Sequence, residues 1–506
     1  MINIFPSTDL VVRALFARIQ SSRQLLDNTI TKRGLPPTTS PSQLACRCLA
    51  AILPDYYTDS TNASAYTVLE TKNWSSNCNL PAACFLTPVH SVQIAVALLI
   101  ITLAQSKFAV RSGGHNPNPG FAGVGAEGVT IDMQGFTALH LSADKSYATV
   151  GAGLRFGAVQ SYLDEQGVAV ASGRNKDVGV SGLLLGGGHP LINSLTGLAA
   201  DNIQSAEVVL LCYPWVVKAS QTQNSHLFRA LKGGLTNFGI VTSFELKTAM
   251  PRNIWYRVVA YSNSNPRAVF DALVNVQQRM EKDPKAGIEV TCSPAGFTVA
   301  FVSGQHTDDP EVFAPFRALT PTTETKPPTN GTTLEFISFL SAPQPEASRD
   351  TVGVTTYPDT DLYMDIYREY LAATTTGGSA TTSFLLQIQT FGTASAQIAI
   401  RNGGNVMGTS ARAQTWWNPI AQWTISADDA KVHKTLLGLA DSIKAAAQAK
   451  GLYDKFIFAN TASRDQNVLE SYGPANLGSM LVVSAKYDVP GTFQKLQKWG
   501  FLASRA

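Results

Sequence analysis

The chain has 506 residues, of which 44% are hydrophobic and 15% charged, and its formal net charge is +3. That length exceeds one compact core, so two or three folding units are expected, and the composition is that of a large globular enzyme. Lysines and arginines are spread without a basic run, which argues against nucleic acid as a partner.

The N-terminal stretch MINIFPSTDLVVRALFARIQ is broken by Arg13 and Arg18 and makes a poor signal peptide. Cys46, Cys48, Cys78 and Cys84 cluster before the main body, which suggests a disulfide formed in an oxidising, secretory or extracellular setting. Cys84 is expected close to Cys46 or Cys48. Sequons at Asn62, Asn73 and Asn330 point the same way. No Cys or His spacing indicates a metal site. The most apolar run, Val92 to Ala104, contains Gln93 and falls short of the roughly 18 residues of a membrane span.

From Pro81 to about Lys247 the chain carries apolar strands, glycine clusters and few charges. Ser91 to Gln105 reads as a helix with Ser91 as N-cap, and Thr130–Asp132 and Tyr147–Val150 read as strands. A second block begins at Pro251. Strands Trp255–Tyr261 and Gly296–Val302 alternate there with an amphipathic helix, Arg267–Glu281, as in an antiparallel sheet backed by helices. Residues 320–333, rich in Pro and Thr, read as a surface loop. Ser426 to Lys450 is the clearest helix: Ser426 caps it, Asp428 and Asp429 suit its positive end, and Gly451 stops it. Val432, Leu436, Leu439 and Ile443 form its buried stripe.

Gly123-Val124-Gly125-Ala126-Glu127-Gly128 spells a dinucleotide fingerprint. Such a motif needs a strand before it and a helix after it, so that a helix N-terminus faces the pyrophosphate. Here Asn116 to Gly120 is loop and Val129 to Asp132 is strand, so a Rossmann unit is rejected. Three other motifs are informative. Val110-Arg111-Ser112-Gly113-Gly114-His115-Asn116 can turn tightly and aim backbone N–H groups at an anion. The segment from Ser172 to Gly188 packs six glycines into residues 173–188, expected where a flat ligand lies on backbone. Leu227 to Thr242 reads as a short helix, a glycine turn and a buried strand.

The three in this order resemble the FAD-linked oxidases of the vanillyl-alcohol oxidase type, specifically the berberine-bridge-enzyme-like branch of plants and fungi. Gly197 to Asn202, Lys486-Tyr487-Asp488 and Gly491 to Gln494 also match, and the likeness runs from about Cys48 to Phe501. It implies an α+β fold: a two-part FAD-binding domain from residues 81–250 and the returning segment 452–506, with residues 1–80 ahead of it. Residues 251–451 would form an α+β substrate domain whose antiparallel sheet roofs the flavin.

The resemblance implies FAD bound covalently through His115. It assigns the cofactor contacts to Arg111, Ser112, Gly113, Gly114, His115, Asn116, Gly173, Val178, Gly179, Gly182, Leu185, Gly186, Gly187, Gly188, Asp201, Asn202, Gly239, Ile240, Val241 and Asn460. Many relatives carry a second, cysteinyl tether; Asn175 stands in that place, so one covalent bond is expected. Further departures are His189-Pro190 after the glycine run, Cys212 to Trp215 in place of a short turn, and Asn460-Thr461-Ala462 where fungal relatives often have Asn-Tyr-Ala. The implied activity is oxidation of a small organic molecule, with hydride passing to flavin N5 and O2 as acceptor, in specialised-metabolite biosynthesis. Non-oxidative cyclisation or binding, favoured by the missing tyrosine, and carbohydrate oxidation, disfavoured by Asn175, are the alternatives. No catalytic base stands out by spacing, and Tyr256, Gln414, Trp416 and Trp417 are candidates for the pocket lining.

Overall fold

A computed structural model describes residues 40–211, 215–341 and 344–506. The N-terminal stretch with Arg13 and Arg18, and Cys212 to Pro214, lie outside the described residues.

Three sheets organise the chain. The first has strands β1 (Tyr57–Thr58), β2 (Cys84–Leu86), β3 (Lys107–Arg111) and β4 (Gly128–Asp132), in the order β1-β2-β4-β3. Here β2, β4 and β3 run parallel, and β1 is antiparallel to β2. Strand β4 follows directly on the Gly123–Gly128 loop, so no helix N-terminus is available to a pyrophosphate there.

The second sheet is antiparallel, in the order β5-β6-β9-β7-β8, from β5 (Leu139–Leu141), β6 (Tyr147–Gly151), β7 (Ile203–Val209), β8 (Val216–Ser220) and β9 (Ile240–Lys247). Between these sheets lies the helix Ser91–Ala104, with Ile94 to Ile101 all buried. A helix apolar on every side is stable only when covered on every side. Its N-cap is His90 rather than Ser91. Ser91 instead donates to Glu207 of β7 at 2.7 Å, while Gln93 accepts from the Val89 and His90 N–H groups.

The third sheet has nine strands: β10 (Asn253–Ser262), β11 (Ala286–Ser293), β12 (Gly296–Ser303), β13 (Thr323–Thr332), β14 (Ser348–Thr351), β15 (Val354–Thr356), β16 (Ser383–Phe391), β17 (Gln414–Trp423) and β18 (Tyr453–Asp454). The order is β13-β10-β12-β11-β16-β17-β15-β18, with β14 also on β17, and every pairing is antiparallel. Residues 320–333 are therefore mostly the edge strand β13 rather than a loop. Pro327 and Pro328 are tolerated because an edge strand has one unpaired side and because the register with β10 shifts near them, at Tyr256 to Val259.

One face of this sheet is covered by the helices Pro266–Met280, Thr360–Thr376 and Asp429–Ala449, which share a core with Trp417, Trp423, Phe297 and Tyr363. The helix Asp429–Ala449 buries Val432, Leu436, Leu439 and Ile443; its N-cap is Asp428, Ser426 opens a preceding 3-10 turn, and Gly451 leaves it at φ +66°. Cys46, on the inner side of the helix Pro41–Ile52, is bonded to Cys84 with a Cα separation of 6.0 Å.

The C-terminal segment reaches back to the first two sheets. Phe108 of β3 bridges Gln497, the Asn118 side chain donates to Ala462 O, and the Asn237 side chain donates to Phe501 O. Among the described residues no helix is long and apolar enough to cross a membrane.

Candidate functional site

Strand β3 ends at Arg111, whose buried guanidinium pairs with Asp132 at the end of β4 (Nε–Oδ2 2.8 Å, Nη2–Oδ2 2.7 Å). From that fixed point the chain turns through Ser112, Gly113 and Gly114, the last at φ +68°. Gly113 meets Gly179 of the second glycine motif face to face. A Cβ on Gly113 would lie 2.4 Å from Gly179 Cα, and a Cβ on Gly179 would lie 2.4 Å from Gly113 N. Only two glycines allow this crossing. Ser112 and Ser181 lock it by donating to one carbonyl, that of Ala152, at 2.6 and 2.9 Å.

Beyond the crossing, the short helix Val180–Leu185 runs into Gly186, Gly187 and Gly188. Asn460 from the C-terminal segment staples it: Gly188 N–H donates to Oδ1 at 2.8 Å, and Nδ2 donates to Gly182 O at 2.9 Å. The face of Gly182 itself is open, with no protein atom within 4 Å of a Cβ built there.

These segments wall a cavity of about 530 Å³. Ser112, Gly113, Gly114, His115, Asn116, Gly173, Val178, Gly179, Gly182, Leu185, Gly188, Gly239, Ile240, Val241 and Asn460 line it. The other sequence-assigned residues do not. Arg111 is spent on Asp132, Gly186 abuts Asn460, and Gly187 abuts Met407 and Phe458. Asp201 accepts from Leu198 N and Asn405 Nδ2, and Asn202 donates to Thr196 O and Leu198 O, so both brace the loop behind the wall. Tyr256, Gln414, Trp416 and Trp417 are core residues rather than lining. Trp416 packs on Phe391, Trp417 donates to Thr356, and Gln414 bonds Ser410 and Trp416.

The opposite wall is the third sheet. Strand side chains alternate between faces, so one polar row crosses the sheet from Asn418 (β17) through Gln387 (β16) and Thr291 (β11) to Thr298 (β12), all facing the cavity. One rung away on β11 stands Glu289, the single carboxylate among the described lining residues. Arg174 reaches it from the glycine-rich segment, Nη1 to Oε2 2.7 Å. Burial pushes the Glu289 carboxyl above the usual carboxylate range, and Arg174 opposes that shift. Gln389, directly across from Glu289, is buried with no partner for its amide.

Two histidines also line the cavity. His115 stacks on Trp74, and burial pushes its pKa down to about 3. His189 is fixed by Thr390 O at 3.0 Å from Nε2, its Nδ1 is buried without a partner, and burial lowers its pKa to about 3 as well. Both imidazoles are therefore neutral at physiological pH. Asn175 lines the cavity, its Oδ1 accepting from Asp177 N.

Trp74, Glu289, Gln387 and Asn418 are site residues outside every motif, and Arg174 lies within the glycine-rich segment but was assigned no contact there. For Glu289 and Gln387 the signal was polar side chains at alternating positions within otherwise apolar strands, Glu289 and Thr291, Gln387 and Gln389.

The backbone wall suits a flat, anionic dinucleotide. Glycines permit close approach, Gly182 leaves its face free, and an open polar roof stands opposite. Residues 82–212 match the FAD binding domain family. An FAD-dependent monooxygenase of Arthrobotrys oligospora is 36% identical over 447 residues, 87% of this chain and 86% of that protein. The fold is shared with the berberine-bridge-enzyme-like protein 1 of Physcomitrella patens (TM-score 0.77, 17% identity, 90% of this chain and 99% of that one). It is shared also with glucooligosaccharide oxidase from Acremonium strictum, whose FAD is described as 6-S-cysteinyl, 8α-N1-histidyl (TM-score 0.74, 18% identity, 88% and 97%). Fold and site thus define an FAD-linked oxidoreductase. The chain belongs to the family of fungal FAD-dependent monooxygenases that carry this FAD binding domain, and its fold is that of the berberine-bridge-enzyme-like proteins.

Proposed function

We propose that the protein oxidises a hydroxylated small organic molecule, using FAD tethered through His115 and Glu289 as proton acceptor, in fungal specialised metabolism. The observation that carries this reading is the facing of two walls: glycine backbone on one side and the Arg174–Glu289 pair on the other. Bound FAD would take hydride at N5 and hand two electrons to dioxygen, giving H2O2.

This chain's residues supply the rest. Ser112 to Gly114, Gly179, Gly182 and Gly188 hold the dinucleotide by backbone. The row from Asn418 to Thr298 offers amide and hydroxyl partners that orient a polar substrate over the cradle. Glu289 takes the substrate O–H proton as hydride leaves the adjacent carbon. Burial raises its pKa, which favours accepting a proton, and Arg174 opposes that shift and so favours the ionised form. The reading has no need of the tyrosine missing at Thr461.

Oxygen uptake and H2O2 release are followed on turnover of a panel of phenols, alcohols and oligosaccharides by purified holoprotein. One H2O2 per product supports the oxidase. Oxygen atoms found in the product instead support oxygen insertion, the activity named for the Arthrobotrys relative. For the tether, acid-denatured wild type should keep its yellow colour on the chain and His115→Ala should release it. Colour leaving entirely with the small molecules of wild type defeats the covalent reading.

A further inference from the structure

The His115 ring is the outer layer of a three-layer stack. Its plane lies 13° from that of Trp74, with ring centroids 4.2 Å apart. On Trp74 sits the guanidinium of Arg349, 4.7 Å from the ring centroid. Neither residue belongs to a glycine motif: Trp74 precedes the first of them in sequence, and Arg349 lies in β14 at the margin of the third sheet.

Hydrogen bonds tie the layers to one another and to the surrounding chain. Trp74 N–H donates to Gly114 O at 2.9 Å, so the residue before His115 is bonded to the residue that carries the stacking ring. Trp74 Nε1 donates to Gln344. Arg349 is 2% exposed and donates to Gln422 Oε1 at 3.0 Å, Ala347 O at 3.2 Å, Pro345 O at 2.5 Å and Trp74 O. Ser75 clamps the Arg349 backbone in both directions, accepting from its N–H at 2.6 Å and donating to its carbonyl at 3.0 Å. A charge this committed to protein carbonyls is a built support.

We propose that Trp74, backed by Arg349, is the positioning residue that presents the His115 imidazole, in one fixed plane, for covalent attachment to the flavin. The inference rests on the reading of His115 as the tether. An imidazole at the end of a glycine turn has a free χ2, and a stacked indole removes that rotation in advance of the reaction. Burial above all, with Arg155 and then the cation on the indole adding to it, disfavours a proton on His115, and only the neutral ring has a nitrogen lone pair to give. Attachment forms one C–N bond to the methyl carbon on the benzene edge of the ring system. The imidazole proton and one methyl proton are lost, and two electrons pass through the ring to dioxygen, which leaves as H2O2.

The test uses full-length holoprotein purified from cells and needs no substrate. Wild type, Trp74→Phe, Trp74→Leu and Trp74→Ala are precipitated in acid, and the flavin remaining on the chain is measured against total flavin bound. Apoprotein of each is also mixed with FAD and the attachment rate recorded. Trp74 is only half-buried, and the variants should fold and bind FAD. Phe should retain attachment near wild type, while Leu and Ala should slow it by roughly tenfold, the factor one stacked pair supplies. Leu attaching as fast as Phe would show that bulk suffices, and Ala attaching at the wild-type rate would show that the indole is irrelevant. Either result overturns the proposal. Wild type that releases all its flavin overturns the tether reading instead, so the two failures are separable.

Discussion

Gly182 and Gly113 both belong to the cradle, yet alanine at each should fail in opposite ways. Gly182 lies within the helix Val180–Leu185, and a Cβ built on it meets nothing within 4 Å. Gly182→Ala should therefore stabilise the apoprotein by about 0.5–1 kcal/mol, the usual gain when alanine replaces a helical glycine. The added methyl enters the cavity, where a flat ring would rest about 3.5 Å from the backbone, so flavin binding should collapse. At Gly113 the built Cβ lies 2.4 Å from Gly179 Cα and 2.6 Å from its N, about 1 Å inside an ordinary carbon contact. Both atoms are backbone, so the two loops must part. Gly113→Ala should cost ~1–3 kcal/mol in the apoprotein, and flavin is lost as a consequence. The assay pairs thermal unfolding of apoprotein with the 450 nm region absorbance per chain of protein as purified. Gly182→Ala that carries flavin at wild-type stoichiometry would refute the idea that the cofactor lies on this face. Gly113→Ala with unchanged unfolding would refute the crossing as a constraint.

Glu289→Gln should leave flavin content intact and lower kcat by roughly 10²–10⁴-fold, the range of a lost general base. In wild type, activity should rise with pH through a limb above the ordinary carboxylate range, because burial raises the Glu289 pKa and only the ionised form accepts a proton. Arg174→Gln should move that limb to higher pH, since the cation lowers the same pKa; a limb unmoved in the variant argues against Glu289 as its source. Asn460→Ala removes both staples between the C-terminal segment and the glycine-rich segment, at Gly182 and Gly188, and should cost ~2 kcal/mol, read by denaturant unfolding. Removing the Cys46–Cys84 bond, which closes a separation of 38 residues, should cost about 4 kcal/mol on the chain-entropy model, checked by unfolding Cys46→Ser/Cys84→Ser beside wild type.

Much of the cradle was legible in the sequence because glycine marks close approach whatever the partner. Gly113, Gly179 and Gly188 could be singled out without knowing that Gly113 and Gly179 meet each other. The helix Asp429–Ala449 was readable in its apolar stripe, first-turn acid and terminal Gly451, which are all local, while its cap fell at Asp428 rather than Ser426. Motif membership alone did not separate residues that face the cavity from those behind it. Asp201, Asn202, Gly186 and Gly187 sit in the same motifs as their lining neighbours, yet are turned toward protein.

The tertiary structure decided what depends on distant partners. Cys46 rather than Cys48 bonds Cys84 because two residues along a helix turn a side chain through about 200°, so only one of the pair can face the first sheet. Pro327 and Pro328 read as loop until β10 placed them on a sheet edge with one unpaired side. Glu289 is an isolated acid within a buried strand until Arg174, 115 residues away, arrives opposite it, and Trp74 is an ordinary aromatic until the glycine turn lays His115 on its face. A backbone constraint is written into the residue that bears it. A pocket side chain acquires its role from what faces it, and that is fixed only when separate segments of the chain meet.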